Sequence, residues 1–167
     1  EYGLGRFIFI SSIGVNGTCT SNEVFSEETR VKPHTGYTIS KYEAEVELKK
    51  LSFQMGFELV IIRPPLVYGK NAPGNFAKLL KLAETKVPLP FALVNNSRSY
   101  ISVKNLCDFI NVSMTHPNAA NELFLVSDDD NNSTKELIEK IWRVKNIKSF
   151  MFPIPFFIFY FLLKTLG

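Results

Sequence analysis

The sequence predicts an α/β fold built on parallel strands, and three observations predict it. Arg6–Ile10 is a short, nearly continuous apolar run of β-formers, as expected of a strand covered on both faces. Residues 37–55 carry a helical pattern at positions 37, 41, 44, 48, 51 and 55, of which Ala44, Leu48, Leu51 and Met55 are small or apolar. Residues 57–62 form a second apolar run. A strand, a long crossover and a strand make a βαβ unit, whose strands run parallel with a right-handed connection. The helical stripe places Tyr37 and Lys41 on the face that packs on the sheet, and Gly56 is a natural helix stop.

The other elements follow in order. Residues 18–36 read as a polar loop. After Gly69 the character changes: Pro73-Gly74 opens a loop, and Asn75 can cap a helix running to about residue 86, with Pro88 and Pro90 beyond it. Tyr100-Ile101 is a short strand, and Ser102 caps an amphipathic helix over Val103–Thr115. Residues 123–126 are another strand, and 128–132 a solvated acidic turn without the ordered spacing of a calcium loop. Ser133-Thr134-Lys135-Glu136 is a capping box for a helix reaching about Val144. The apolar stretch 150–163, with Pro153 and Pro155 inside, is too short for a membrane span. It reads as a buried terminal helix, with interfacial membrane contact as the alternative.

Composition bounds the function. An apolar fraction of 46% and near-zero mean hydropathy supply a core for one domain or parts of two, and argue against disorder. A net charge of +3, spread along the chain, is no argument for nucleic acid as a partner. Cys19 and Cys107 make no disulfide framework; Cys107 falls in an apolar helical pattern and is expected in the core, and a cytoplasmic, reducing compartment is the default. His34 and His116 suggest no metal constellation.

The chemistry concentrates in Tyr37-Thr38-Ile39-Ser40-Lys41. Residues four apart share a helix face, and an ammonium held beside a phenol favours the phenolate. Such a tyrosine can act as a general acid/base at a hydroxyl or carbonyl oxygen. Upstream, an apolar strand ends in Ser11-Ser12; downstream, another ends in Arg63-Pro64-Pro65. Ser12 therefore stands at the carboxyl end of a strand, where open α/β sheets place their ligands.

These pieces, with residues 7–17, then 61–69, then Arg98-Ser99-Tyr100-Ile101, resemble the extended short-chain dehydrogenase/reductase family, in particular its nucleotide-sugar epimerases, dehydratases and 4-keto reductases. The resemblance runs from about residue 5 to residue 144 and implies a Rossmann-type parallel sheet. Residues 1–70 would be the C-terminal part of a dinucleotide-binding domain, and residues 71–167 part of a nucleotide-sugar-binding region. The family's glycine-rich turn has no counterpart here, since no G-x-G-x-x-G pattern occurs among the nine glycines. The chain is therefore expected to be the C-terminal portion of a longer enzyme.

The resemblance also implies roles. Ser12, with Ser11 as the competing choice, would hydrogen-bond the substrate's reacting oxygen. Tyr37 would exchange the proton, and Lys41 would support it while bonding the nicotinamide ribose. Pro64 would line the nicotinamide pocket of NAD or NADP, with Arg63 structural. Asn75 and Arg98 would hold the nucleotide's diphosphate, and the tyrosine helix would form a homodimer. The chain departs from the family at Asn16, where tyrosine is common, at Leu66 for asparagine, at Lys70 for proline, and at Ser99 and Ser102. Leu66 removes a polar contact to the sugar. Ile13-Gly14 stand where the family's dehydratases carry acids, which argues against dehydration. The implied activity is 4-epimerisation of a nucleotide-linked hexose, UDP-hexose first, by transient C4 oxidation. A 4-keto-sugar reductase is the second reading; a non-catalytic or membrane-associated nucleotide-sugar-binding protein is the third.

Overall fold

The computed structural model describes residues 5–20, 24–70, 72 and 74–154. They group into two compact units, one of residues up to 69 together with 100–128, the other of residues 70–99 together with the chain from 129 onward. The sequence expectation drew a single boundary after residue 70. The chain instead returns to the first unit at Tyr100, because strand pairing between distant residues decides membership and leaves no local mark in the sequence.

In the first unit, β1 (Arg6–Ile10), β2 (Glu58–Arg63) and β5 (Leu123–Leu125) form a parallel sheet in the order β1-β2-β5. The register runs from Arg6 opposite Glu58 to Ile10 opposite Ile62, and from Ile61 opposite Leu123 to Arg63 opposite Leu125. The central strand is buried on both faces, and its side chains divide with period two. Phe57, Leu59 and Ile61 pack with Phe9, Leu48 and Leu123 on the side of α1 (Gly36–Met55). Val60 and Ile62 pack with Ala119, Leu106, Phe109 and Phe124 on the side of α3 (Val103–Thr115). Among the described residues β1 pairs with β2 alone, and of its side chains Phe7 is exposed while the other four are half-buried.

Helix α1 begins at a capping box in which Thr35 and Thr38 each bond the other's backbone, and it ends at Gly56, whose φ of 72° is the left-handed stop. Its inward face matches the predicted stripe only in part: Leu48 packs against the sheet, and Lys41 and Ala44 are half-buried. Thr38 and Glu45 are the buried residues, whereas Leu51, Met55 and Tyr37 are exposed. The inward polar side chains are satisfied, Thr38 by the cap and Glu45 by an ion pair, so counting apolar positions missed them and extended the stripe to exposed residues at both ends of the helix.

Cys107 is likewise exposed, not core, because α3 turns its neighbours Leu106, Phe109 and Ile110 toward the sheet. A second parallel pair joins β3 (Leu66–Tyr68) to β4 (Tyr100–Ser102). Three residues after two prolines show no periodicity to read, and β3 was not anticipated.

Asp128 closes this region and is not the solvated acid expected. Its carboxylate accepts from the Tyr68 hydroxyl at 2.9 Å, the Ser102 N–H at 3.1 Å and the Asn105 amide at 2.7 Å. Burial pushes the carboxyl up, but the bonds from Asn105, Tyr68 and Ser102 outweigh it and hold it below its ordinary 3.8. A depressed carboxyl stabilises the fold above that value and loses its contribution as the pH falls through the lower folded one. Asp128→Asn is therefore expected to lower Tm at pH 7 more than at pH 3, read by thermal melts at both. An equal loss at both would mean that the charge contributes nothing.

The second unit packs α2 (Asn75–Glu84) on α4 (Thr134–Val144). Ala83, Leu89, Ile138, Ile141 and Trp142 form its core, with Leu79, Phe91 and Met151 against it. The Trp142 indole N–H donates to the Ala83 carbonyl at 2.9 Å, joining the helices through a polar atom that burial would otherwise penalise. Ser133 and Glu136 form the expected capping box; the Ser133 N–H and hydroxyl on its carboxylate hold the Glu136 carboxyl below its usual range. Helix α2 starts differently from the expectation. Gly74, at φ 79°, is the residue before it, and Asn75 is its first helical residue with no capping bond. Most of the apolar stretch 150–163 lies outside the described residues, within which Met151 bridges to Leu89. No helix of the described residues is long and apolar enough to cross a membrane.

Candidate active site

Four of the residues singled out in the sequence meet at the carboxyl end of the first unit's sheet. Ser12 follows β1 and caps a single 3-10 turn, Ile13–Val15; its Oγ accepts from the Gly14 N–H at 3.2 Å, which leaves its own proton to donate. Pro64, buried at the end of β2, accepts through its carbonyl from the Ile13 N–H at 3.0 Å. The serine turn is thus fixed to the neighbouring strand. Lys41 reaches from α1 to donate to the Ile10 carbonyl at 2.9 Å. Its Nζ lies 4.9 Å from the Phe9 ring centroid and 5.9 Å from that of Tyr37, within cation–π range of both. Tyr37 is 59% exposed, which leaves its side chain accessible to a ligand.

Gly14 explains how closely the helix approaches the serine turn. A Cβ there would stand 2.7 Å from Thr38 Cγ2, and Thr38 is locked by its capping bonds. Gly14→Ala is expected to cost about 1–3 kcal/mol by overpacking. Adding Thr38→Ser, which removes the methyl and keeps the cap, should recover most of that loss in denaturant titrations. A single variant as stable as the parent would show that the contact is loose.

Beneath this arrangement lies a charged network that sequence reasoning did not identify. Arg63 donates through Nε to Glu45 Oε1 at 2.9 Å and through Nη2 to Oε2 at 2.5 Å, and through Nη1 to Asn16 Oδ1 at 2.9 Å. The Ser11 hydroxyl donates to Glu45 Oε1 at 2.5 Å. All four side chains are buried. Arg63 spends these bonds inside the network, and removing either charged partner would leave a buried charge unpaired, at about 3–5 kcal/mol. Ser11 is committed to this network, whereas the half-buried Ser12 donates its hydroxyl proton to no group among the described residues. Asn16, whose amide also donates to the Ser26 carbonyl at 3.1 Å, is an internal tie to the loop. The only sequence signal for Glu45 was its place one turn beyond Lys41, on the same side of the helix.

Asn75 and Arg98 belong to the second unit. Asn75 is exposed in the first turn of α2, among amides free of intrahelical partners. The Arg98 backbone exchanges N–H to carbonyl bonds of 3.1 Å with Asn132, and its side chain is exposed with no carboxylate partner among the described residues. A groove of about 470 Å³ in the first unit is not the candidate site. Lys49, Phe53, Gly56, Glu58 and Asn121 line it, at the amino end of β2 and the far end of α1.

The model of the NAD dependent epimerase/dehydratase family matches residues 1–126. The chain belongs to this family. It is 41% identical over 157 residues to UDP-glucose 4-epimerase of Vibrio cholerae, covering 93% of this chain and 48% of that protein. The fold matches Thermotoga maritima UDP-glucose 4-epimerase, solved with UDP-glucose, at a TM-score of 0.73 and 20% identity, over 92% of this chain and 52% of that one. It matches Thermus thermophilus UDP-glucose 4-epimerase, solved with NAD, at 0.72 and 17%, over 90% and 51%. The chain spans about half the length of the curated relatives it matches. The Rossmann-type α/β expectation therefore holds.

Proposed function

We propose that the chain carries the proton-transfer residues of a nucleotide-sugar 4-epimerase, with a UDP-hexose as substrate. The observation that carries this reading is the convergence of Ser12, Tyr37 and Lys41 at one sheet end, in a chain 41% identical to a UDP-glucose 4-epimerase. The donor set fits a dinucleotide's nicotinamide end. Lys41 has three N–H donors and spends one on Ile10, leaving two for a ribose diol. Tyr37, Lys41 and Pro64 would hold NAD or NADP there, and the bound nicotinamide supplies reversible hydride acceptance at the sugar carbon.

The chain's own residues do the rest. Tyr37 takes the proton from the C4 hydroxyl and returns it, Lys41 stabilises its anionic form electrostatically, and Ser12 donates to the same oxygen. Asn75 and Arg98 bind the diphosphate, the first through helix amides and the second through its guanidinium fork. The chain forms a homodimer through α1, a reading supported by Phe53 and Met55, which are 92% and 71% exposed on that helix. Supplying UDP-galactose with NAD to the full-length enzyme and resolving the products by NMR tests the activity: an equilibrium of two 4-epimers is expected, and the 167-residue chain alone is expected to be inactive. A net conversion that consumes NADPH stoichiometrically would favour the keto-sugar reductase instead.

A further inference from the structure

The end of β1 is tied to α1 twice in succession. Ile10 is held by Lys41 and Ser11 by Glu45, one helical turn further on, and Ser12 is the next residue. Glu45 spends every bond inward: Oε1 takes Ser11 and Arg63, and Oε2 takes Arg63 again. Arg63 in turn reaches Asn16, directly after the serine turn, and its backbone pairs with Leu125 in β5. At 2% and 3% exposure, the Glu45–Arg63 pair has no solvent to compensate a slip. A fork of two parallel N–H bonds also fixes orientation, which a point contact does not.

We propose that Glu45 is a positioning residue for the reaction, setting the depth and rotation of α1 so that Tyr37 and Ser12 address one substrate oxygen. This rests on the function proposed above. Glu45 touches no ligand; it acts through Ser11 on the serine turn and through the helix on Tyr37 and Lys41. Since burying an ion pair is seldom the most stable use of such a position, its geometric specificity is the property that the site draws upon.

Ser11→Ala gives the decisive test, because it removes the tie between helix and serine turn while leaving the Glu45–Arg63 pair whole. Turnover should fall about tenfold, as expected of a small misplacement of the reacting groups, with KM for the nucleotide sugar nearly unchanged and Tm lowered less than by Glu45→Gln. Ser11→Thr, which retains the hydroxyl, should recover turnover. Glu45→Gln should lower both turnover and Tm. If Ser11→Ala keeps full turnover while Tyr37→Phe is inactive, the positioning role is wrong and the catalytic reading stands. If Tyr37→Phe also keeps full turnover, both fall.

Discussion

Tyr37→Phe is expected to cut turnover by about 10²–10⁴-fold, the usual contribution of a positioned general acid/base. Tyr37 is 59% exposed and its hydroxyl makes no hydrogen bond among the described residues, so the substitution removes a proton carrier without opening a cavity. Fold stability and nucleotide-sugar affinity should therefore stay close to those of the parent. Separate measurement of kcat and of ligand Kd distinguishes this from general damage, which would move both. A phenylalanine variant with near-normal kcat would remove Tyr37 from the chemistry.

Arg98→Ala is expected to weaken binding of the nucleotide sugar and of free UDP alike by roughly ten- to a hundredfold, the worth of one charge-assisted hydrogen bond. The exposed guanidinium has no carboxylate partner among the described residues, so deleting it leaves no buried charge behind. Its backbone bridge to Asn132 is independent of the side chain and keeps the segment in place. NAD affinity should not change. Calorimetric titration of UDP and NAD checks both expectations; equal loss of the two would indicate a folding defect, and no loss would make Arg98 a surface charge.

What the sequence disclosed and what it concealed divide on physical lines. Local signals were sound: Ser102 and Ser133 cap the helices assigned to them, Gly56 stops α1, and β2 has the continuous burial its apolar run implied. The order of Ser12, Tyr37, Lys41 and Arg63-Pro64 could be read because each motif sits at an element's end, where the backbone pattern changes. The polar part of the inward face of α1 could not. Periodicity counts apolar residues, whereas Thr38 and Glu45 are buried through partners that lie 3 and 18 residues away. Asp128 misled for the same reason, since its donors come from Tyr68, Ser102 and Asn105, and only the fold assembles them. Cys107 shows the converse error: an apolar neighbourhood in sequence does not say which side of the helix a residue occupies.

The most direct test of the central claim follows the hydrogen at the reacting carbon. UDP-galactose deuterated at C4 should be converted in ordinary water, with NAD present, to UDP-glucose that keeps its deuterium at C4, as seen by NMR and mass spectrometry. Oxidation and re-reduction by a nicotinamide that stays bound predicts that outcome, with only the hydroxyl proton passing through Tyr37, whereas removal of the C4 hydrogen as a proton would exchange it with water. UDP-glucose that has exchanged its C4 deuterium for solvent hydrogen, or the absence of any 4-epimer from the active full-length protein, would contradict it.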